Sequence, residues 1–236
     1  MQKFSSKFKA TVSAVAVLAV LFGVHGYRKL QALAADPDGE KNCRTANSRD
    51  QGKVDIERIK AIAPLQGVKW SQLGGAINDA SCVNKTEIYG IVEVRSVDDI
   101  ASTLAFARDN KLSVTTAGVR HSMGGQAFRK GGIVLDMRTF NRIVLNETSR
   151  SVTVQPGATW HDIQNALHPR FAVRAMQSTD IFTVGGSISV NAHGMDHQAG
   201  ALAKSIKSMK VMLADGTVKT ASATENKELF DLVVGG

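Results

Sequence analysis

The amino-acid sequence predicts an α+β protein. Short runs of apolar and β-branched residues alternate with segments of helical apolar spacing, and two pairs of strand-like runs are joined by polar turns. The 236 residues are 43% hydrophobic and 21% charged, a composition that supports a buried core. Two loops rich in glycine and small hydroxyl residues, about sixty residues apart, interrupt this pattern. We expect the function of the protein to reside in these loops.

The positive charge of the chain is concentrated near its N-terminus. The formal net charge is +8, but residues 1–35 hold five of the 29 basic residues and no acidic residue. The remainder carries 24 basic against 21 acidic residues, without a Lys/Arg run interleaved with aromatic side chains. Nucleic acid is therefore not expected as a partner.

Residues 1–35 are predicted to be a signal anchor or a signal peptide. An uncharged apolar run over 10–27 follows three lysines, and its length of about 18 residues is near the minimum for crossing a bilayer. A small-residue sequence at 32–35 offers a cleavage site, whereas Arg28 and Lys29 before it favour an uncleaved anchor. We expect a single-pass membrane protein with its body on the exported side, or a secreted or periplasmic protein if the signal is cleaved.

Residues 36–84 are interpreted as a linker and N-terminal extension. The stretch 36–53 is polar and rich in turn-forming residues. The spacing of 54–63 predicts a helix that stops before Pro64, and 65–90 is interpreted as irregular.

The two cysteines, Cys43 and Cys82, lack the close spacing of a zinc site. A disulfide between them and two separate thiols both fit the sequence.

A strand–helix–strand unit is predicted from residue 88 onward. Residues 88–94 and 112–117 are apolar runs of strand length. Between them, Ser96 is placed to cap a helix that has two acids in its first turn and an apolar stripe. The two strands are expected to be a parallel pair, and the second leads into the first glycine-containing loop.

The rest of the chain is predicted to alternate between strands and helices. We expect a strand at 131–137, a hairpin at 141–158 and a helix at 159–167 that is capped by Thr159. A small-residue loop at 183–194, a second hairpin at 205–222 and a final helix at 225–236 are expected to follow. Asp215-Gly216 marks the turn of the second hairpin.

The two loops have the composition of backbone that approaches a phosphate group. Gly, Ala, Ser and Thr expose backbone N–H groups and short hydroxyls, because no large side chain blocks access to them. The first loop lacks both the G-x-G-x-x-G and the Walker A patterns, and a strand follows it where those patterns require a helix. The residues alone leave open a dinucleotide held in another way and an ordinary turn.

Two further patterns are disfavoured by their sequence context. His193 and His197 have a spacing that binds zinc from a helix, but Gly194 argues against a helix there, so no metal site is expected. A G-x-S-x-G elbow is absent from the sequence, which disfavours a serine hydrolase.

Four stretches within residues 85–236 form a pattern together: TTAGVRHSMGGQAFRKGGIVLDMRTFNRI, VTVQPGATWHDIQNAL, VGGSISVNAHG and LADGTVKTAS. In order and spacing they resemble the vanillyl-alcohol oxidase / p-cresol methylhydroxylase family of flavoproteins. Within it the chain is similar to alditol and aldonolactone oxidases, and HSMGGQA is also similar to cytokinin dehydrogenases. The resemblance implies a PCMH-type FAD-binding domain over 85–236, built of two α+β subdomains with FAD between them.

The resemblance also assigns roles to particular residues. The first loop is expected to hold the FAD pyrophosphate, the second loop to wrap the cofactor, and a later His-Gly pair to lie beside the flavin. His121 matches the histidine that many members join covalently to the flavin 8α-methyl carbon. The implied cofactor-binding residues are Ala117, Gly118, Val119, Arg120, His121, Ser122, Gly124, Gly125, Gln126, Ser178, Thr183, Val184, Gly185, Gly186, His193 and Gly194.

The chain departs from the family pattern just before His121. Members usually have Gly or Ser there, whereas this chain has Val119 and Arg120. Arg120 is expected either to pair with a phosphate or to mark a different local arrangement. Covalent attachment of FAD through His121 is expected, and the alternatives are non-covalent FAD in the same fold and a histidine bonded only to backbone.

The resemblance implies an FAD-dependent oxidoreductase that oxidises a CH–OH group of a sugar-like, polyol or aldonolactone substrate by hydride transfer to flavin. The alternatives are a flavin-binding fragment without turnover, and a cytokinin-dehydrogenase-like or lipid-linked-sugar oxidase of the same fold. In the family, more sequence follows a pair like Gly235-Gly236, so a missing C-terminal half or a partner chain is expected. The catalytic base is expected in that part, so no catalytic residue is assigned to this chain.

Deletion of residues 1–35 tests the membrane anchor. We expect the full chain to sediment with membranes and to resist alkaline extraction, because residues 10–27 would be buried in lipid. The shortened chain is expected in the supernatant. A full-length chain recovered in the soluble fraction at its unprocessed mass would contradict the anchor, and a soluble chain of reduced mass would indicate a cleaved signal.

Overall fold

The computed structural model describes residues 53–236, so the predicted signal segment and Cys43 lie outside the described residues. The helices are α1 (Ile56–Lys60), α2 (Val97–Asp109), α3 (Trp160–Leu167), α4 (Val184–Ser189) and α5 (Lys227–Val233), with a 3-10 helix at Leu202–Ser205. The strands are β1 (Lys69–Leu73), β2 (Ala76–Ile77), β3 (Thr86–Glu87), β4 (Gly90–Glu93), β5 (Val114–Ala117), β6 (Ile133–Asp136), β7 (Ile143–Asn146), β8 (Ser151–Val154), β9 (Met209–Met212) and β10 (Val218–Ala221). The mixture of helices and strands expected from the sequence is confirmed.

A four-stranded sheet in the order β1-β4-β6-β5 organises the first half of the described chain. Strand β6 pairs in parallel with both β4 and β5, and β1 pairs antiparallel with β4. The predicted strand–helix–strand unit is therefore present, but its two strands are not neighbours, because β6 lies between them. All four residues of β6 are buried, as expected for a central strand covered on both faces.

The alternation of side chains along β6 divides the core into two layers. Ile133 and Leu135 pack in one cluster with residues of α1 and α2, whereas Val134 packs in the other with Phe128. The second layer lies on the side of the sheet that carries the first glycine-containing loop, because Ala117 and Phe128 flank that loop.

The interpretation of residues 65–90 as irregular is wrong. Three strands fall in this range, and β1 is an edge strand of the main sheet. Its residues KWSQL alternate between exposed and half-buried, and a register shift between Trp70 and Gln72 breaks the pairing with β4. Because β1 has neither an apolar run nor a fully buried face, and β2 and β3 have two residues each, the sequence pattern is too weak to reveal them.

An ion pair fixes one end of β1 against β4. Lys69 lies opposite Glu93 in the strand register, and the distance from Lys69 Nζ to Glu93 Oε2 is 2.8 Å. The hydrogen bond from Lys69, with help from Arg95, lowers the pKa of the Glu93 carboxyl below its usual value.

Two predicted helix starts are confirmed in detail. Ser96 caps α2 through a reciprocal pair of hydrogen bonds with Asp99, and Thr159 caps α3 in the same way with Asp162. Each cap satisfies backbone N–H groups that otherwise lack an intrahelical partner.

The second half of the described chain has its own hydrophobic cluster. It contains Trp160, Ile163 and Leu167 of α3, Val184 of α4 and Leu202 of the 3-10 helix. Hairpin side chains of β7 and β8 pack against this cluster. The two hairpins predicted at 141–158 and 205–222 are confirmed as the antiparallel pairs β7–β8 and β9–β10.

The predicted loop at 183–194 is partly helical. Helix α4 occupies Val184–Ser189, although it contains Gly185 and Gly186, which disfavour a helix. Val184 and Ser187 are buried in the region of the second cluster, so tertiary packing overrides the weak propensity of this segment.

Gly157 joins the two halves of the chain. Its backbone N–H donates to the carbonyl of Phe140 at 2.9 Å, and a Cβ atom added to it would lie 1.7 Å from the carbonyl oxygen of Met137. The hairpin β7–β8 can therefore return directly against the chain that leaves β6.

Two expectations from the N-terminal half concern membranes and cysteines. Cys82 is disulfide-bonded, which agrees with one of the two alternatives for the cysteines. Within residues 53–236, no helix combines the length and apolar character needed to cross a bilayer.

Candidate functional site

The two small-residue loops meet in space. Gly118, one residue beyond β5, lies so close to Thr183 that an added Cβ atom would be 2.1 Å from Thr183 Oγ1. Three residues further on, the ring of His121 packs edge-on against the ring of Phe182, with centroids 5.5 Å apart and an interplanar angle of 76°. The absence of a side chain at Gly118 is thus what allows the two loops to touch.

The first loop has an unusual backbone conformation. Arg120 and Met123 have φ angles of 60° and 58°, and Gly125 has a φ angle of 67°. A non-glycine residue in this left-handed region costs roughly 1–2 kcal/mol. Such a conformation persists where the surrounding structure determines it, and this is frequent at ligand sites.

The backbone N–H groups of the loop fall into two sets. Gly124 N–H donates to the carbonyl of Ser122 at 2.7 Å, and Gly125 N–H donates to Oδ2 of Asp79 at 3.0 Å. The consecutive N–H groups of His121, Ser122 and Met123 donate to no acceptor among the described residues. Three adjacent donors without an internal acceptor fit the phosphate oxygens of a dinucleotide.

The ring of His121 is oriented by its own loop. Its Nδ1 atom lies 2.7 Å from the carbonyl oxygen of Val119, and the side chain is half-buried. Together with the edge-on contact to Phe182, this hydrogen bond fixes the ring at the junction of the two loops.

Arg120 lies inside the fold. It is 7% exposed, and its backbone carbonyl accepts a hydrogen bond from Ala80 N–H at 3.0 Å. This burial distinguishes it from Ser122, two residues later, which is exposed. The pairing of Arg120 with a phosphate and a different local arrangement both stay predictions.

The second loop is anchored to α3 and to the preceding turn. Val184 N–H donates to the carbonyl of Ala158 at 2.8 Å, and Gly185 N–H donates to that of Pro156 at 2.9 Å. Trp160 Nε1 donates to Ser187 Oγ at 2.9 Å, which ties α4 to α3 inside the core. Helix α4 is therefore held in place next to the contact between Gly118 and Thr183.

The remaining predicted residues take different positions. Thr183 and Val184 are buried, Gln126, Ser178 and Gly186 are exposed, and His193 is exposed with Nδ1 3.0 Å from the carbonyl oxygen of Gly194. His193 has no hydrogen bond to the first loop among the described residues. The stretch 193–197 contains no helix, as the glycine there indicated.

A polar segment whose residues Asp79 and Asn84 bond to the first loop was not predicted from the sequence. Asn78, Asp79 and Asn84 are buried and belong to the stretch interpreted as an extension. The available signal was the grouping of Asn, Asp and Ser within 78–84, a composition typical of side chains that bond to nearby backbone. Nothing in that signal indicated a loop about forty residues later in the chain.

Two small-residue loops in contact, with three adjacent N–H groups that have no acceptor among the described residues, are typical of a site for a nucleotide-containing cofactor. The comparison with known families agrees, because the FAD binding domain family matches residues 88–222, more than half of the chain. This chain belongs to the FAD binding domain family. The expected cofactor, FAD, is confirmed at the level of the family.

Individual relatives are named as oxidoreductases, oxidases or dehydrogenases. An uncharacterized oxidoreductase from the fasciation locus of Rhodococcoides fascians is 35% identical over 149 residues, which cover 62% of this chain and 34% of that protein. The L-gulonolactone oxidase of Mus musculus is 30% identical over 141 residues, which cover 57% of this chain and 31% of that protein. Other relatives are named D-lactate dehydrogenase, cytokinin dehydrogenase 2 and decaprenylphosphoryl-beta-D-ribose oxidase.

A solved structure shares the fold. The wild-type BBE-like 1 protein of Physcomitrella patens superposes with a TM-score of 0.56 at 21% identity, covering 64% of this chain and 34% of that chain. The chain thus spans about one third of the length of the Rhodococcoides, Mus and Physcomitrella proteins.

The contact between the two loops can be tested by a double-mutant cycle. Gly118→Ala is expected to lower both the melting temperature and the FAD content of the purified protein, because its Cβ would overlap Thr183 Oγ1. The overlap should cost about 1–3 kcal/mol of unfolding free energy. Thr183→Ala removes the overlapping atoms. The loss of unfolding free energy in the double variant should therefore be smaller than the sum of the losses in the two single variants. Strict additivity would show that the loops do not touch at this point.

Proposed function

We propose that the protein is an FAD-dependent oxidoreductase that acts on a CH–OH group of a sugar-like, polyol or aldonolactone substrate. The observation that supports this proposal is the position of His121, which lies on the first loop at the contact with the second. A cofactor held by both loops would have its reactive ring next to this histidine. The names of several relatives, oxidases of a lactone and of a sugar derivative, agree with this class of substrate.

The proposed roles of the chain's own residues follow from their positions. The N–H groups of His121, Ser122 and Met123 would donate to the pyrophosphate oxygens. Gly118 would keep the loops in contact, and Thr183 and Val184 would form the buried wall of the second loop. When FAD is bound, its isoalloxazine ring supplies hydride acceptance, and the protein supplies orientation and exclusion of water.

We also propose that His121 is joined covalently to the flavin. The ring is already oriented by Val119 and Phe182, so little conformational freedom would be lost on attachment. A covalent link would prevent loss of the cofactor.

The proposed membrane location rests on residues 10–27 and would keep such an enzyme at a lipid surface.

A second candidate substrate is a sugar linked to a lipid. It is favoured by the 32% identity to the decaprenylphosphoryl-beta-D-ribose oxidase of Mycolicibacterium smegmatis over 134 residues. The apolar run at 10–27 would hold the protein near such a substrate.

The histidine link is tested by denaturation. The purified protein is unfolded and precipitated, and flavin fluorescence is measured on the washed polypeptide. We expect stoichiometric flavin in the wild type and only background in His121→Ala, because the imidazole nitrogen is the proposed attachment atom. His197→Ala is the matched control, since that histidine is exposed and lies outside both loops. Flavin that remains on the His121→Ala polypeptide would rule out this residue as the tether.

The substrate class is tested by anaerobic bleaching of the bound flavin. In the protein that includes the part expected to hold the catalytic base, an aldonolactone or a polyol is expected to remove the visible absorbance of the oxidised flavin, since hydride transfer to the ring abolishes that band. A cytokinin-type amine is expected to have no effect. Bleaching only by a polyprenyl-phosphoryl sugar would favour the second candidate, and bleaching only by the amine would contradict both.

A further inference from the structure

The segment 78–84, which precedes the part of the chain matched by the FAD binding domain family, contacts the first loop. We propose that Asp79 and Asn84 are positioning residues that hold this loop in its cofactor-binding conformation. The inference rests on the proposed function of the loop, because it assigns to these two residues the presentation of the His121–Met123 N–H groups.

Asp79 is a fully enclosed carboxylate whose acceptor sites are occupied by hydrogen bonds. Its exposure is 0%, and Oδ1 accepts from the backbone N–H and the hydroxyl of Ser81. Oδ2 accepts from Asn84 Nδ2 at 2.8 Å and from Gly125 N–H at 3.0 Å. Four donors match the acceptor capacity of a carboxylate, which compensates for its removal from water.

Three hydrogen bonds join the segment to the loop. Ala80 N–H donates to the carbonyl of Arg120, Asn84 Nδ2 donates to that of Met123, and Gly125 N–H donates to Asp79, each at 3.0 Å. The three loop residues that take part in these bonds are the three that have positive φ angles. The segment therefore acts at the positions where the loop departs from ordinary backbone geometry.

This coincidence has a physical reason. Arg120 and Met123 occupy a conformation that is unfavourable for residues with a side chain, so outside contacts must hold them there. Without the bond to Asp79, Gly125 would be free to adopt other conformations, because glycine has a wide choice of backbone angles. The N–H groups of His121 to Met123 would then no longer be held in one arrangement.

The segment is itself held firmly enough to act as a support. Asn78 Oδ1 accepts hydrogen bonds from Asp79 N–H at 3.0 Å and from Asn84 N–H at 3.1 Å, which closes the segment into a turn. Strands β2 and β3 flank this turn and pair antiparallel, so the segment is the tip of a short ribbon. Ile77 of this ribbon is fully buried in the same cluster as Phe128, which docks the ribbon under the loop.

Hydrogen exchange tests the support directly in flavin-free protein, which is produced in a host starved of riboflavin so that no covalent flavin forms. In Asn84→Ala, we expect amide exchange in the peptide covering residues 118–126 to be at least roughly tenfold faster, because Met123 loses a donor and Asp79 is left partly unpaired. Exchange in α2 is expected to stay at the wild-type rate. Ser81→Ala is the matched control: it removes a donor to Asp79 at Oδ1 and an acceptor of Asn84 Nδ2, but it keeps the bonds of Met123 and Gly125 to the segment, since Ser81 has no hydrogen bond to the loop among the described residues. It should leave exchange in the loop unchanged.

A second variant and a second readout separate positioning from general stability. Asp79→Asn preserves the size of the side chain but has one acceptor oxygen in place of two, so it should loosen the loop as Asn84→Ala does. Both variants should bind added FAD at least roughly tenfold more weakly than Ser81→Ala in fluorescence titrations.

Unchanged exchange in the loop would overturn the inference. So would exchange that rises equally in α2, because this pattern indicates loss of global stability. A loosened loop with wild-type FAD affinity would also overturn it, since loop order would then not matter for the cofactor. A wild-type protein that takes up no FAD would overturn the proposed function, whereas the exchange result would still decide whether Asp79 and Asn84 hold the loop.

Discussion

The close approach of Gly118 to Thr183 is the contact on which the arrangement of the site depends. One loop leaves the carboxyl end of β5, and the other begins α4 in the second half of the chain. They can meet only because no Cβ atom stands between them. Each side of the contact is fixed independently, by the parallel pairing of β5 with β6 and by the hydrogen bonds of α4 to Ala158 and Pro156. The loop after β5 and the loop at the start of α4, which are packed separately, are thus brought into contact.

The first loop illustrates how strain and function are combined. Arg120 and Met123 have positive φ angles, and the three successive N–H groups of His121, Ser122 and Met123 have no acceptor among the described residues. The N–H groups of Gly124 and Gly125 are instead bonded inside the chain. Gly125 contributes its conformational freedom to the loop, and its neighbours contribute the available donors.

Much of the fold could be predicted from the sequence, because capped helices and alternating hairpins carry strong local signals. Ser96 and Thr159 indicate α2 and α3, and the polar turn at Asp215-Gly216 indicates the β9–β10 hairpin. Strands β1 to β3 could not be predicted, since their stability comes from pairing with other parts of the chain. The insertion of β6 between β4 and β5 likewise depends on tertiary packing that no local pattern records. At the site, the loop composition pointed to His121 and its neighbours, whereas Asp79 contacts the loop from far away in the chain and has no signature in the spacing.

The ribbon formed by β2 and β3 has a consequence for how this domain can be transplanted or trimmed. Its tip contacts the first loop, yet it lies upstream of residue 88, where the match to the FAD binding domain family begins. A chimera or expression fragment cut at residue 88 would retain the residues matched by that family and lose the ribbon that bonds to the loop of His121. Exchange of such domains between relatives should therefore use a junction before β1, so that the first loop and the β2–β3 ribbon that contacts it are transferred together.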